Sequence, residues 1–363
     1  MKRNAILAAL LAVALYGTFV GLILRRNAFD ASRLVLAGDE FTDPASAPKS
    51  LAVAAHAPGY DGQFYYRLAL APLSTAARVA GIRFDYPVYR AQRIGYPLLV
   101  RLFSAANPKA IPWVMLLLNV AAAGVIAGTA ATIVRPWWTA LAVSLFPGFL
   151  LTISRDLVEL VEIAFLLLAL RFLLSRRIAP AVIFLTLAVL TKETAILFAI
   201  ATGLAILWRE RAIFRASAFG IPIAAHIGWK LFLFRLWNLP PNLGASEHFA
   251  MPFAGLFTAM RSANHLLAIE VAVIALFTIV VAMAFRTSRA GLPVKLGWIM
   301  YAALFFTLGV EFWWEDWAFL RAASDYAVLG TLIAVESESF RAPVALLVMA
   351  SWLALAAHII VFR

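Results

Sequence analysis

From Ala110 onward the chain hardly leaves the apolar alphabet, and this constrains its fold more than any motif does. Apolar cores fall at 110–133, 137–153, 157–174, 179–190, 194–208, 213–236, 265–285, 292–311, 322–336 and 342–361, separated by charged or Pro/Gly breaks. A further run, Ala5 to Leu24, opens the chain. A helix of about 20 apolar residues crosses a ~30 Å hydrocarbon layer, where every backbone polar group must be paired within the protein. The pattern predicts an all-α polytopic membrane protein with about 10–11 transmembrane helices. Composition agrees: 64% of the 363 residues are hydrophobic and 14% charged, which excludes a soluble enzyme and a disordered chain. With no cysteine, disulfides, thiolate metal sites and cysteine nucleophiles are excluded as well.

Charge predicts the topology. The first run ends at Arg25 and Arg26 without an Ala-x-Ala cleavage site, so residues 1–24 read as an uncleaved span with a cytoplasmic N-terminus. The stretch 179–208 reads as two short spans rather than one. The split puts Arg176 and Arg177 on the same side as Arg209, Arg211 and Arg215. That side then also holds Lys2, Arg3, Arg135, Arg286, Arg289, Lys295 and Arg341, while the opposite short connections hold only Arg155, Lys192, Arg235, Arg261 and Arg321. Such a bias marks the cytoplasmic face. Loop arginines and anionic headgroups account for much of the net charge of +12. Nucleic acid is not an expected partner, because no basic stripe carries interleaved aromatics. The expected location is a bacterial inner membrane, with the lipid bilayer itself as a partner.

Three regions follow: the first span (1–24), a long outer loop (25–109) and a multi-span domain (110–363). Pro44, Pro48, Pro58, Pro72, Pro87 and Pro97 chop the loop into short pieces. Within it, Asp61 to Arg78 has helix-compatible apolar spacing and predicts an amphipathic helix lying on the membrane surface. Asp61 opens that helix. It can serve simply as a cap, or as a base whose pKa desolvation raises toward working pH. Tyr60, Gln63, Tyr65 and Arg67 are candidate substrate contacts beside it. Asp39 and Glu40 form an earlier acidic pair, able to act in catalysis or, with Asp61, to hold a divalent cation, although no spacing requires a metal. Arg90 and Arg93, three apart, would share a helical face and could grip a phosphate or bulk lipid headgroups.

The short connections also carry charge at membrane depth, where ionisable groups point to function. Arg155-Asp156 precedes Glu159 and Glu162, and Lys192-Glu193 sits between two short spans. Glu311, Glu315, Asp316, Arg321 and Asp325 group around Trp313, Trp314 and Trp317. Together they suggest a charged cavity closed by the outer loop. The five histidines have no ligand spacing, and no phosphate-loop glycine pattern occurs, so neither zinc nor a nucleotide is expected.

The layout resembles the GT-C glycosyltransferases: an N-terminal span, a large first loop with an acidic residue, a surface helix, then many spans. Tyr60-Asp61-Gly62-Gln63-Phe64-Tyr65-Tyr66-Arg67-Leu68-Ala69 and the later Tyr96-Pro97-Leu98 are similar to stretches of the PIG-V-type mannosyltransferase-like branch. The resemblance implies inverting, metal-independent transfer of a sugar from a polyprenyl-phosphate donor to a glycan, lipid or protein hydroxyl, with no cofactor. Asp61 matches the family's acidic position best and Asp39 second; Asp39-Glu40 resembles acidic pairs of other GT-C branches. Arg90, Arg93, Lys192 and Arg321 would steady the leaving phosphate. A polytopic secondary transporter, with its cavity at the broken 179–208 segment, is the alternative.

Overall fold

The computed structural model describes residues 2–240, 248–261, 265–314 and 317–362. Helix α1 (Lys2–Arg26) buries Ala8, Ala12, Tyr16 and Phe19 on one stripe and exposes Ile6, Leu10 and Leu22 on the other side. Apolar side chains exposed around a long helix suit lipid rather than water.

Residues 27–110 form a loop layer at one end of the bundle. It contains a two-residue parallel strand pair, Ala37–Gly38 with Val53–Ala54. It also holds α2 (Asp61–Leu70), α3 (Pro87–Ala91) and α4 (Gly95–Ser104). Helix α2 stops well short of Arg78, because Pro72 disfavours helical geometry at Ala71. Nor does it lie on a surface: every residue from Gly62 to Ala69 is buried. Several of its polar side chains bond the loop layer around it. Arg67 donates to the carbonyls of Ala76, Ala77 and Ile82 at 2.6–3.1 Å, and its guanidinium lies 4.0 Å from the Phe84 ring. Gly62 permits the close approach beneath: a Cβ there would stand 2.6 Å from the carbonyl oxygens of Arg155 and Val35.

Helix α5 (Ile111–Ile133), 23 residues and about 34 Å long, packs along α1. Gly124 and Gly128, one turn apart, face Ala5, Ala9 and Val13; a Cβ on Gly124 would fall 2.7 Å from Val13 Cγ2. Small residues at this spacing let membrane helices approach closely. The expected 137–153 span is a broken pair. The segments Trp137–Ser144 and Gly148–Ser154 meet at a 56° bend, where Pro147 cannot donate to a helical hydrogen bond. Their α-helical parts are α6 (Ala140–Ser144) and α7 (Gly148–Ser154).

Helices α8 (Glu159–Leu174), α9 (Ile178–Thr191) and α10 (Ile196–Glu210) follow. The 179–208 stretch is therefore two helices, parted by an extended Lys192. Next come α11 (Ile213–Ser217), α12 (Gly220–Trp237), α13 (Ala254–Arg261) and α14 (His265–Thr287). The expected 292–311 span ends earlier, as α15 (Leu292–Phe306), and α16 (Val310–Trp314) is separate. The chain closes with α17 (Ala318–Ala322), α18 (Ser324–Val335) and α19 (Arg341–Phe362).

Among the described residues five helices are long and apolar enough to cross a membrane, or six if the bent pair is one span. They are α1, α5, the α11–α12 stretch, α14 and α19. This is an essentially all-helical, polytopic membrane protein. Helices α9, α15 and α18 are apolar but shorter; the 12 residues of α18 reach only about 18 Å.

Candidate functional site

Several of the ionisable residues flagged in the sequence, among them Asp61, Arg90, Arg93, Lys192, Glu193 and Arg321, come together where the loop layer meets the ends of α9 and α18. Asp61 occupies the first turn of α2. Arg90 comes from α3, and Arg93 follows two residues after the helix ends at Ala91. Trp229 of α12 donates to the Ala91 carbonyl at 3.0 Å and pins this segment. Gly95 lies against the end of α9, where a Cβ would meet Thr191 Oγ1 at 2.5 Å. That closeness brings Arg93 to Glu193. Arg321 arrives from α17.

Three guanidinium groups meet one carboxylate. Asp61 Oδ1 accepts from Arg90 Nη1 at 2.7 Å and Oδ2 from Arg321 Nη1 at 3.0 Å, with Arg93 Nη1 3.8 Å from Oδ2. Arg90 is also held by Asp85, through Nε and Nη2. Arg93 is held by Glu193 in the same two-pronged way, at 2.9 and 2.7 Å. Its Nη1 lies 3.3 Å from the Tyr65 hydroxyl. Aromatic faces line the arginines: Phe64 and Tyr89 beside Arg90, Tyr89 beside Arg93, and Tyr60 beside Arg155 and Arg321. The side chains of Asp61, Arg90, Arg93 and Arg321 keep 10–16% exposure, so the group is not sealed.

Deeper in, Glu159 Oε1 stands 3.6 Å from Arg321 Nη1 and 3.9 Å from Lys192 Nζ. Lys192 is 3.6 Å from Asp325, which accepts from Thr194 at 3.2 Å. These groups sit at the ends of two short apolar helices, the C-terminus of α9 and the N-terminus of α18. Arg155 and Asp156 are fully buried. Asp156 has a left-handed backbone, φ 50°, and neither of its carboxylate oxygens accepts a hydrogen bond among the described residues.

Burial would raise the Asp61 pKa, but Arg90, Arg321 and Arg93 outweigh it and hold the carboxyl well below the usual range. This reverses the expectation of a base raised by desolvation: the apolar wall is present, yet cations face the carboxylate directly. Arg90 is correspondingly raised against the opposing effect of burial.

Other sequence-flagged residues have scaffold contacts. Asp39 accepts from the backbone N–H of His56 and Ala57 at 2.8 and 3.1 Å, and these bonds lower its pKa. The Glu40 side chain is exposed, and its carbonyl accepts from Arg83. Neither joins Asp61, because both are engaged on the strand-pair side of the loop layer. Gln63 is tied to Thr42, Gly38 and Pro58, and Arg67 to the carbonyls described above, so neither joins the group around Asp61. Burial lowers the Arg67 pKa to about 10. The expected acidic group around the tryptophans is not one cluster. Glu311 faces His248 at 3.8 Å, Arg321 and Asp325 belong to the groups above, and Glu315 and Asp316 lie outside the described residues. No three His, Asp or Glu residues are placed to hold a metal ion among the described residues.

Sequence reasoning did not single out Asp85 or Tyr89. Asp85 lies five residues before Arg90, and only the tight turn into Pro87 folds it back. No family model, curated protein or solved structure matches this chain.

Proposed function

We propose that this protein is a GT-C-like membrane glycosyltransferase. It moves a sugar from a polyprenyl-phosphate donor to a hydroxyl of a glycan, lipid or protein acceptor. On this reading the shorter helices complete about 10–11 crossings. Residues 25–109 lie on the face away from the cytoplasm of a bacterial inner membrane, and the N-terminus is cytoplasmic. One observation carries the proposal: a carboxylate and three guanidinium groups converge at one partly exposed place in an apolar helical chain. Glycosyl transfer from a lipid phosphate needs both a proton acceptor and a cationic cradle for the leaving group.

A cavity of about 340 Å³ supports the reading. Apolar side chains of α14, α18 and α19, among them Ile274, Phe277, Tyr326 and Leu355, line it. Leu320 faces this cavity while its neighbour Arg321 reaches Asp61. A prenyl chain would lie on one side of α17 with its phosphate on the other. In the reaction the acceptor oxygen bonds to the anomeric carbon with inversion. The bond from that carbon to the phosphate oxygen breaks, polyprenyl phosphate leaves with the electron pair, and Asp61 takes the hydroxyl proton.

In proteoliposomes supplied with a polyprenyl-phosphate sugar, Asp61→Asn should lower transfer by about 10²- to 10⁴-fold while the protein still inserts. Wild-type rates in that variant would remove the base from Asp61. The buried Lys192–Glu159–Asp325 group favours one other reading, a secondary transporter with its cavity at 179–208. Under that reading Lys192→Ala abolishes uptake and Asp61→Ala is tolerated.

A further inference from the structure

The arginines around Asp61 are braced from behind. Arg90 spends Nε and Nη2 on Asp85, and Arg93 spends the same pair of nitrogens on Glu193. Each therefore presents its remaining Nη1 toward Asp61, as does Arg321, whose Nη1 is also 3.6 Å from Glu159. A guanidinium clamped along one edge keeps its orientation when the ligand on the other edge leaves. Three Nη1 groups from two separate parts of the chain thus converge on one anionic position. In the present state the Asp61 carboxylate fills it. Asp61 is also the poorest proton acceptor while it stays there, because three cations stabilise its ionised form.

We propose, on the glycosyltransferase reading above, that the donor's phosphodiester takes the place of Asp61 on the arginines, so that this carboxylate becomes a base only once the donor is bound. The exchange conserves charge, one monoanion replacing another. In the exchange the Asp61 side chain rotates off the three guanidinium groups while its backbone stays in the first turn of α2. Asp85, Glu193 and Glu159 keep the arginines in place meanwhile. Donor binding then precedes activation of the acceptor, and an acceptor arriving first meets a carboxylate with little basicity.

The test uses the full-length protein in detergent and farnesyl methyl phosphate, a singly charged prenyl phosphodiester, with affinity read by calorimetry. Asp61→Asn empties the anionic position, so it should bind this probe at least tenfold more tightly than the wild type. Asp85→Asn, which removes a charge from the rear edge of Arg90, should gain less than threefold. Weaker or unchanged binding by Asp61→Asn would overturn the proposal by making Asp61 a support for the arginines. Equal gains in both variants would also overturn it, as an effect of net charge. Failure of both the wild type and Asp61→Asn to bind would remove the anion site and the displacement with it. Binding by the wild type without a gain in Asp61→Asn removes the displacement alone. A cryo-EM structure of the wild-type complex gives a check independent of any variant. A phosphate oxygen should replace the Asp61 oxygen now 2.7 Å from Arg90 Nη1, and an undisturbed Asp61–Arg90 pair in that complex would refute the idea.

Discussion

The two halves of the charged region share one residue, Glu159, and differ in nearly everything else. At the rim, the side chains of Asp61, Arg90, Arg93 and Arg321 keep 10–16% exposure; Asp61 accepts hydrogen bonds from Arg90 and Arg321, and Arg93 stands 3.8 Å off. In the depth, the side chains of Lys192, Glu159 and Asp325 keep 2–6% exposure, and Lys192 lies 3.6–3.9 Å from its partners. The rim is built like a ligand site, with donors oriented before anything binds. The deep group resembles a structural charge knot, in which each ion stands because its neighbours offset its lost hydration. Partial exposure with tight geometry, rather than burial, is what separates a candidate site from a buried network here.

The largest effect that would break this comparison is at Lys192. Lys192→Ala leaves Glu159 and Asp325 buried without their shared cation and should cost about 3–5 kcal/mol of stability, read by unfolding in detergent. Transfer per folded molecule should stay within about tenfold, since one such factor is only 1.4 kcal/mol. Lost transfer at unchanged stability would move Lys192 into the site.

A smaller effect sharpens the rim. The folded Asp61 pKa is below its unfolded value, so its contribution to stability is complete above the unfolded carboxyl pKa of about 3.9. That contribution is lost as pH falls from there toward the folded value. Stability attributable to Asp61 should therefore be level from neutrality to about pH 5 and decline below about pH 4. Comparing acid unfolding of the wild type with Asp61→Asn checks this: the variant should lack that part of the acid slope. A difference between the two that instead grew above pH 5 would contradict the rim geometry.

The smallest effect concerns Asp39, the other acidic candidate of the loop layer. Half-buried and bonded to loop amides away from Asp61, it should tolerate Asn with a transfer change below about twofold, as substitutions away from a site usually do. A large loss there would return the base assignment to Asp39.

Much of the site was legible because charge in an apolar chain is conspicuous. Asp61, Arg90, Arg93, Lys192, Glu193 and Arg321 all stood out as ionisable groups against lipid-length runs, whereas the helical face expected to carry both Arg90 and Arg93 ends at Ala91, before Arg93. Gln63 and Arg67 misled for the opposite reason. They lie on a helix whose spacing suggests a wet side, but loop carbonyls rather than solvent meet that side. Periodicity reports that a helix has two faces, and it is silent about what covers the polar one.

Hydrophobic run length and charge placement, local properties of the chain, determined by themselves that it is helical and built for a bilayer, that 179–208 breaks at Lys192, and which ions are out of place in lipid. Only the tertiary structure decided that Asp61 meets an arginine 260 positions away, that Asp85 and Glu193 brace the other two, and that the carboxyl pKa moves down instead of up. Those outcomes depend on distances of a few ångströms between segments remote in sequence. Coulombic interactions and hydrogen bonds are set by such distances, and no pattern within one segment encodes them.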